Sequence, residues 1–201
     1  AHMLATPCYW AAGSVSDRVA GSRGGGALSL HWRQSTRLVR AEWCSIVLAE
    51  PAGWVTCGSG GGGSNLLVAL KPPATKDDTS EIIYEVPRST APYVPTPLFS
   101  QGRLYLWGDK GVITFLHATR EEIFWKERVG GNFSSSPILI GDQILNISSD
   151  GEMVALVDDE EFRILGRRDI GEECRATPAV AEGFMVIRTK SKLFCLKISK
   201  S

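Results

Sequence analysis

The sequence predicts an all-β fold built from one small sheet that recurs about every 40 residues. The first observation is a set of similar apolar segments that end on leucines spaced by 40, 46, 40 and 40 residues: Leu30, Leu70, Leu116, Leu156 and Leu196. The second is a small residue before proline that opens an apolar run, at Thr6, Thr96, Ser136 and Thr177, with Ser45 in the same slot but without the proline. The third is a turn rich in glycine and aspartate after each opening.

Each unit contains three short apolar runs between turns, a pattern typical of strands rather than helices. In the fourth unit the runs are 137–140, 143–147 and 152–157. A further strand is predicted between units, at Ile82–Val86, Glu122–Lys126 and Glu161–Leu165, with the weakest pattern at Arg37–Ala41. Four strands in about 40 residues predict a β-propeller of about five blades, each with three to four antiparallel strands.

The repeats divide the chain into units of approximately 4–41, 42–90, 91–130, 131–171 and 172–201, after a cloning remnant at 1–3. A polar loop with two prolines at Lys71–Ser80 lengthens the second unit. We expect a single domain in which five blades close a ring. Two alternatives stay open: a segment of a larger propeller, or an open arc whose free edges would invite a second chain.

Composition narrows the class of protein. Lys+Arg and Asp+Glu both number 22, and this balance excludes a broadly basic nucleic-acid binder. Hydrophobic residues make up 43%, enough for a core, and no apolar run approaches the roughly 18 residues of a membrane span. The five cysteines have neither zinc-ligand spacing nor the even count of a full disulfide framework. They are expected to be small buried residues, with Cys195 at a core position.

Two glycine-rich loops occupy matching slots in the first and second units, at 21–26 and 58–64. They lack the lysine and the following helix of a phosphate-binding loop, so a flexible hairpin is the plainer interpretation. The alternative is a backbone-lined lip for a ligand, where Arg23 would contact an anion.

Four further side chains are candidate ligand contacts. Asp109 and Asp150 occupy equivalent turns, where a carboxylate either does acid–base work or caps its own backbone. Asn132 or Phe133 is expected to face the central channel. No catalytic residue and no metal ligand is predicted. The remaining conspicuous side chains are expected to be turn residues, His31 and His117, and core residues between blades, Trp10, Trp54, Trp107 and Trp125.

The stretches 91–111 and 125–137 resemble a known repeat. They contain the sequences APYVPTP, LYLWGDKG and WKERVGGNFSSSP. These resemble the pyrroloquinoline-quinone-like β-propeller repeat proteins of bacteria, most of all a planctomycete-type branch. That family includes quinoprotein dehydrogenases and an outer-membrane assembly lipoprotein. The chain departs from the dehydrogenases: it has no adjacent cysteine pair, no calcium-site cluster, and five units where they use about eight blades.

Because the sequence shows no convergent nucleophile, metal or acid–base set, we expect a non-catalytic propeller that acts as a ligand- or protein-binding scaffold. No cofactor is expected, and the partner would be a protein, a peptide or a carbohydrate, with no nucleic acid and no membrane span. An oligomer is expected only if the ring is open. One alternative is a quinone-dependent dehydrogenase domain that binds pyrroloquinoline quinone and calcium; another is the sensor portion of a larger signalling protein. The resemblance alone suggests the periplasm or cell envelope.

Overall fold

A computed structural model describes residues 43–49, 52–58, 65–71 and 80–198, so the predicted unit 4–41, with Arg23, His31 and Trp10, lies outside the described residues. In these ranges the chain offers no helical segment that could span a bilayer. The described strands are β1 (Trp43–Ala49), β2 (Ala52–Gly58), β3 (Leu66–Lys71), β4 (Glu81–Val86), β5 (Leu98–Ser100), β6 (Arg103–Trp107), β7 (Val112–His117), β8 (Ile123–Arg128), β9 (Ile138–Ile140), β10 (Gln143–Ile147), β11 (Glu152–Val157), β12 (Ile164–Asp169), β13 (Ala179–Ala181), β14 (Phe184–Arg188) and β15 (Leu193–Lys197).

The strands form four antiparallel sheets, here called blades I to IV. Blades I, II and III have four strands each, in the orders β1-β2-β3-β4, β5-β6-β7-β8 and β9-β10-β11-β12. Blade IV has three, β13-β14-β15. The prediction of an all-β propeller with blades of three to four antiparallel strands is confirmed.

The repeated leucine marks the same irregularity in three blades. The pairing of the third and fourth strands shifts between Ala69 and Leu70, between Phe115 and Leu116, and between Ala155 and Leu156. A β-bulge at this point bends the strand and increases its twist. The spacing of the leucines therefore reflects a repeated bend at the same place in each blade.

Apolar clusters join each blade to the next. Trp54 and Tyr84 of blade I pack with Leu104 and Leu116 of blade II. Blade II packs on blade III in the same way, and blade III on blade IV. Both Trp54 and Trp107 are fully buried, as predicted for residues between blades. A single small sheet could not cover both of its faces, so the blades stabilise one another.

The predicted strand Glu161–Leu165 is placed too early, because β12 runs from Ile164 to Asp169. Two contacts delay it. The N–H of Asp158 donates to the Asp142 carbonyl (2.8 Å), and the Phe162 ring stands edge-on to Trp125 at 5.1 Å. The first contact holds the chain to the β9–β10 turn of its own blade, and the second holds it against blade II before it pairs with β11.

The expectation that Cys195 is a core residue is wrong, because this side chain is exposed. Its neighbours along the strand are apolar, which suggested burial. However, Cys195 lies opposite Val186 on the face of blade IV that points away from blade III. Cys174, by contrast, is buried as expected, and burial raises the pKa of its thiol.

Candidate binding face

The turns between second and third strands lie at the same end of the blades as the linkers between blades. This follows from the antiparallel pairing, since each fourth strand ends, and the next first strand begins, beside that turn. We call this surface the linker face. It comprises the turns 108–111, 148–151 and 189–192 and the linkers 91–96, 129–136 and 170–177.

Gly111 and Gly151 allow the linkers to lie close against two of these turns. Both have positive φ, +67° and +96°. A Cβ at Gly111 would collide with the Gly130 carbonyl oxygen, and one at Gly151 with that of Glu172. Because any other side chain would both strain the backbone and push the linker away, these positions require glycine.

Backbone hydrogen bonds hold the linkers 129–136 and 170–177 to the turns on both sides of each. They run from the N–H of Phe133 to the Asp109 carbonyl (2.7 Å), from Ser149 to Asn132 (2.6 Å), from Cys174 to Ser149 (3.1 Å) and from Lys190 to Glu173 (3.0 Å). The linker face is therefore a continuous network across blades II, III and IV rather than a set of independent loops.

The small residues of the repeated pre-proline slot form a second network. The Thr96 hydroxyl donates to the Ser45 hydroxyl (3.0 Å), and the Thr96 N–H donates to the Ser136 hydroxyl (2.9 Å). The Ser136 N–H in turn donates to the Thr177 hydroxyl (2.9 Å). At Ser136 and Thr177 a serine or threonine is required because its hydroxyl accepts a backbone N–H of the preceding unit. Ser45 belongs to this row although no proline follows it.

Asp109 is a structural carboxylate. Its oxygens accept the N–H groups of Tyr93 (2.8 Å) and Val94 (3.0 Å) in the preceding linker. The sequence left acid–base work and backbone capping open for Asp109. The structure favours capping, but Asp109 caps the backbone of the preceding linker rather than its own turn. Phe133 is 2% exposed and stands edge-on to Trp107 at 5.2 Å, so its ring belongs to the core beneath the face.

Asn132 and Asp150 are exposed on the linker face. Four of the five candidate residues thus belong to the turns and linkers of this face, but Phe133 is buried beneath it, and only Asn132 and Asp150 have exposed side chains. Further exposed charges lie on the same turns and linkers: Lys110, Glu173, Arg175 and Lys190. Lys190 and Glu173 form an ion pair at 3.5 Å.

Glu172 ties the last linker to blade IV. Its carboxylate accepts the hydroxyl groups of Ser191 and Thr189 and the Ser191 N–H (3.0 Å), and Lys192 lies 3.7 Å away. These hydrogen bonds lower the pKa of Glu172 to about 2, and the one from the Ser191 hydroxyl has the largest effect. The group stays ionised throughout the physiological range.

The described residues do not fit a quinone held by calcium. Calcium needs six to eight oxygen ligands together, whereas the described part of the chain contains no group of three or more acidic, histidine or cysteine side chains that could share a metal. Asp109 and Glu172 already bind amides and hydroxyls. His117, expected to be a turn residue, is instead the last residue of β7, and its Nδ1 accepts the Thr119 N–H (3.2 Å).

Sequence reasoning missed a buried polar cluster at the end of the sheets opposite the linker face. Asp158 of blade III has a side chain that is 2% exposed, and it accepts the hydroxyls of Tyr105 (2.8 Å) and Ser100 (2.5 Å) from blade II. The Arg103 guanidinium lies 3.6 Å away. Burial, and then the hydrogen bond to Asp158, raises the pKa of Tyr105 well above its usual value, so this hydroxyl stays a donor.

The repeat itself contains the signal for this contact. Asp158 is the second residue after the repeated Leu156, and Ala118 is the second after Leu116. The Ala118 carbonyl accepts the indole N–H of Trp54 (2.8 Å) and the Tyr84 hydroxyl (2.9 Å) of blade I. We call this the docking position, because its residue contacts the preceding blade in each case.

Solved structures with the same arrangement of blades exist. BamB from Moraxella catarrhalis superposes with a TM-score of 0.56 at 18% identity, over 74% of this chain and 43% of that chain. The computationally designed Ika4 protein gives 0.57 at 11% identity, over 88% and 100%. A quinohemoprotein alcohol dehydrogenase from Pseudomonas putida gives 0.53 at 8% identity, over 71% and 27%.

These likenesses, together with the four sheets, identify the fold. The chain has the β-propeller fold. It spans less than half the length of BamB. No family model matches the chain. A comparison with curated proteins finds no match either. At identities of 18% or less the likeness concerns the fold, so the function has to be argued from the site.

Proposed function

We propose that this propeller is a non-catalytic binding module whose linker face recognises a protein partner. The observation that carries the proposal is the combination of exposed charges with a bonded backbone. Lys110, Asn132, Asp150 and Glu173 project from turns and linkers that hydrogen-bond to one another across three blades. A surface already held in one conformation loses little entropy on binding, and affinity increases accordingly.

The pattern of charge favours a protein over a sugar or a small apolar ligand. Exposed charges of both signs lie along the face, at Lys110, Asp150, Glu173, Arg175 and Lys190. Such a surface fits a partner with complementary charges, and it sets specificity and the rate of association more than raw affinity. The nearby rings of Phe133 and Trp107 are buried, so they offer no stacking platform.

The test is a pair of triple variants used as bait. The first, Lys110→Ala, Asn132→Ala and Asp150→Ala, removes exposed side chains from the linker face. The matched control, Glu121→Ala, Asp142→Ala and Glu161→Ala, removes exposed side chains from the opposite end of the blades. We expect a partner that is retained by the wild type and the control and lost by the linker-face variant.

A purified candidate partner then allows the dissociation constant to be measured. The linker-face variant should weaken binding by about 10-fold or more, which corresponds to about 1.4 kcal/mol, with a steeper loss at high salt for the wild type. A partner lost equally by both variants, or glycan binding unaffected by either, would contradict the proposal.

A further inference from the structure

A cross-strand row of three residues runs from the second strand to the fourth in each of blades I, II and III, on the face that packs toward the next blade. Strand pairing places the following residues in these rows: Trp54, Ala69 and Tyr84 in blade I; Tyr105, Phe115 and Trp125 in blade II; and Leu145, Ala155 and Gly166 in blade III. The fourth strand thus contributes an aromatic ring in blades I and II, but a glycine in blade III.

The two aromatic rings of the fourth strands fill the space between neighbouring blades. Tyr84 is buried, and its hydroxyl donates to the Ala118 carbonyl of blade II (2.9 Å). Trp125 stacks on Phe115 at 5.0 Å and stands edge-on to Phe162 of blade III at 5.1 Å. The glycine at the same place in blade III leaves this space without a side chain from the fourth strand.

Blade III has a cavity of about 300 Å³ at this place, which is within the range of ligand sites. Residues of three neighbouring strands line it, among them Gln143, Leu145, Met153, Ala155, Gly166 and Arg168. The backbone does not require glycine here, because Gly166 does not have positive φ and a Cβ would meet nothing within 4 Å. The cavity therefore results from the absent side chain and not from a strained turn.

The cavity combines an apolar floor with a positive charge. Met153 and Ala155 are half-buried, whereas Arg168, which pairs with Met153 and shares its face, is exposed. Within the described ranges no carboxylate forms an ion pair with the Arg168 guanidinium, while the neighbouring Arg167 is held by Glu152 at 2.8 Å. An occupant with an aromatic ring and a carboxylate matches both features, since arginine forms charge-assisted hydrogen bonds with carboxylates.

We propose that blade III binds an extended peptide of a partner protein, which places an aromatic side chain over Gly166 and a carboxylate beside Arg168. Among the described strands β12 is the edge of its sheet, so its outer backbone groups can pair with an added strand. Opposite residues of antiparallel strands have Cβ atoms about 4.5–5.5 Å apart, so a ring opposite Gly166 reaches the empty space. Aromatic rings that cover a glycine in this way stabilise sheet edges.

Antiparallel pairing also sets the order of residues in the peptide. Gly166 and Arg168 are two residues apart and share a face. Because the added strand runs in the opposite direction, its acidic residue precedes its aromatic residue by two positions, as in Glu-x-Trp. The site consists of strand residues of blade III, whereas the linker face consists of turns and linkers, so it goes beyond the function proposed above.

The probe is the peptide TVETWVT, acetylated and amidated at its ends and titrated into the full chain by isothermal calorimetry. We expect saturable binding that weakens about 10-fold or more when alanine replaces the tryptophan of the peptide, because aromatic anchors carry much of the binding energy. Arg168→Ala should weaken binding about 3- to 5-fold, as for an exposed ion pair. Arg163→Ala, the matched control, removes an exposed arginine from outside the cavity and should bind like the wild type.

Gly166→Trp supplies the missing ring from the chain itself. This variant should keep or raise Tm, as cavity-filling substitutions do, and weaken peptide binding about 10-fold or more; Gly166→Leu is a second variant with the same expected loss. The linker-face triple variant should bind the peptide like the wild type, which separates this site from the proposed function. Wild-type affinity in a folded Gly166→Trp or Gly166→Leu, no binding at millimolar peptide, or loss of binding in the linker-face variant would overturn the proposal.

Discussion

Single residues on the linker face show how backbone geometry selects a side chain. Asp109 was one of two carboxylates in equivalent turns, yet it holds the Tyr93 and Val94 amides whereas Asp150 is exposed. The sequence placed both in turns but gave no sign of this difference. The cause is the preceding linker, which approaches Asp109 from a segment about 15 residues earlier.

Gly151→Ala should lower the free energy of unfolding by roughly 2 kcal/mol or more, because a positive φ costs a β-carbon about 1–2 kcal/mol and the new Cβ also meets the Glu172 carbonyl. Gly141→Ala is the matched control. Gly141 also has positive φ, but a Cβ there meets nothing within 4 Å, so the loss should stay near 1 kcal/mol. Equal losses in urea denaturation would argue against the close linker.

At the scale of elements, the important contacts are those between blades. Tyr105 and Trp54 are each the third residue of a second strand, and each donates a hydrogen bond to the docking position of the next blade. The acceptor is a carboxylate at Asp158 and a backbone carbonyl at Ala118. The strands themselves were largely predictable, because alternating short runs and turn residues are local signals. The start of β12 was not, because one contact within blade III and one with blade II delay it.

Tyr105→Phe should cost about 1–3 kcal/mol at neutral pH, because the buried Asp158 loses a donor. The native pKa of Tyr105 lies above its unfolded value of about 10, so above that pH only the unfolded state ionises and stability falls by about 1.4 kcal/mol per unit of pH for each such tyrosine. Tyr84, whose pKa burial raises to about 12, adds its own loss between pH 10 and 12.

The variant should therefore lose stability less steeply than the wild type above pH 10. Chemical denaturation at pH 9, 10 and 11 measures the slopes, with Tyr84→Phe as the comparison. Parallel slopes for the wild type and Tyr105→Phe would mean that Tyr105 ionises in the folded state, against the burial described here.

For the whole molecule, the remaining functional choice lies between a binding scaffold and a quinone enzyme. The fold is common to BamB and to a quinohemoprotein alcohol dehydrogenase, so it does not decide between them. The decision rests on side chains. Two carboxylates of the linker face, Asp109 and Glu172, hold amides and hydroxyls of the chain, and the described residues contain no group of three or more acidic, histidine or cysteine side chains that could share a calcium ion.

Titration with pyrroloquinoline quinone and Ca²⁺ should leave Tm and the absorbance spectrum unchanged. A specific ligand at one hundred times its dissociation constant would stabilise the fold by roughly 2.7 kcal/mol, a shift easily seen by calorimetry. Quinone without calcium serves as the control for nonspecific binding. A saturable shift that requires calcium would favour the dehydrogenase.

The sequence by itself determined the all-β class, the repeat, the turns and the row of hydroxyls from Ser45 to Thr177. These depend on neighbours within one unit or on a fixed spacing, which a single chain displays directly. Only the tertiary structure decided that Asp158 meets Ser100 and Tyr105, 58 and 53 residues away, and that Cys195 lies exposed. Contacts between blades join positions whose side chains differ in every unit, so packing rather than local pattern selects them.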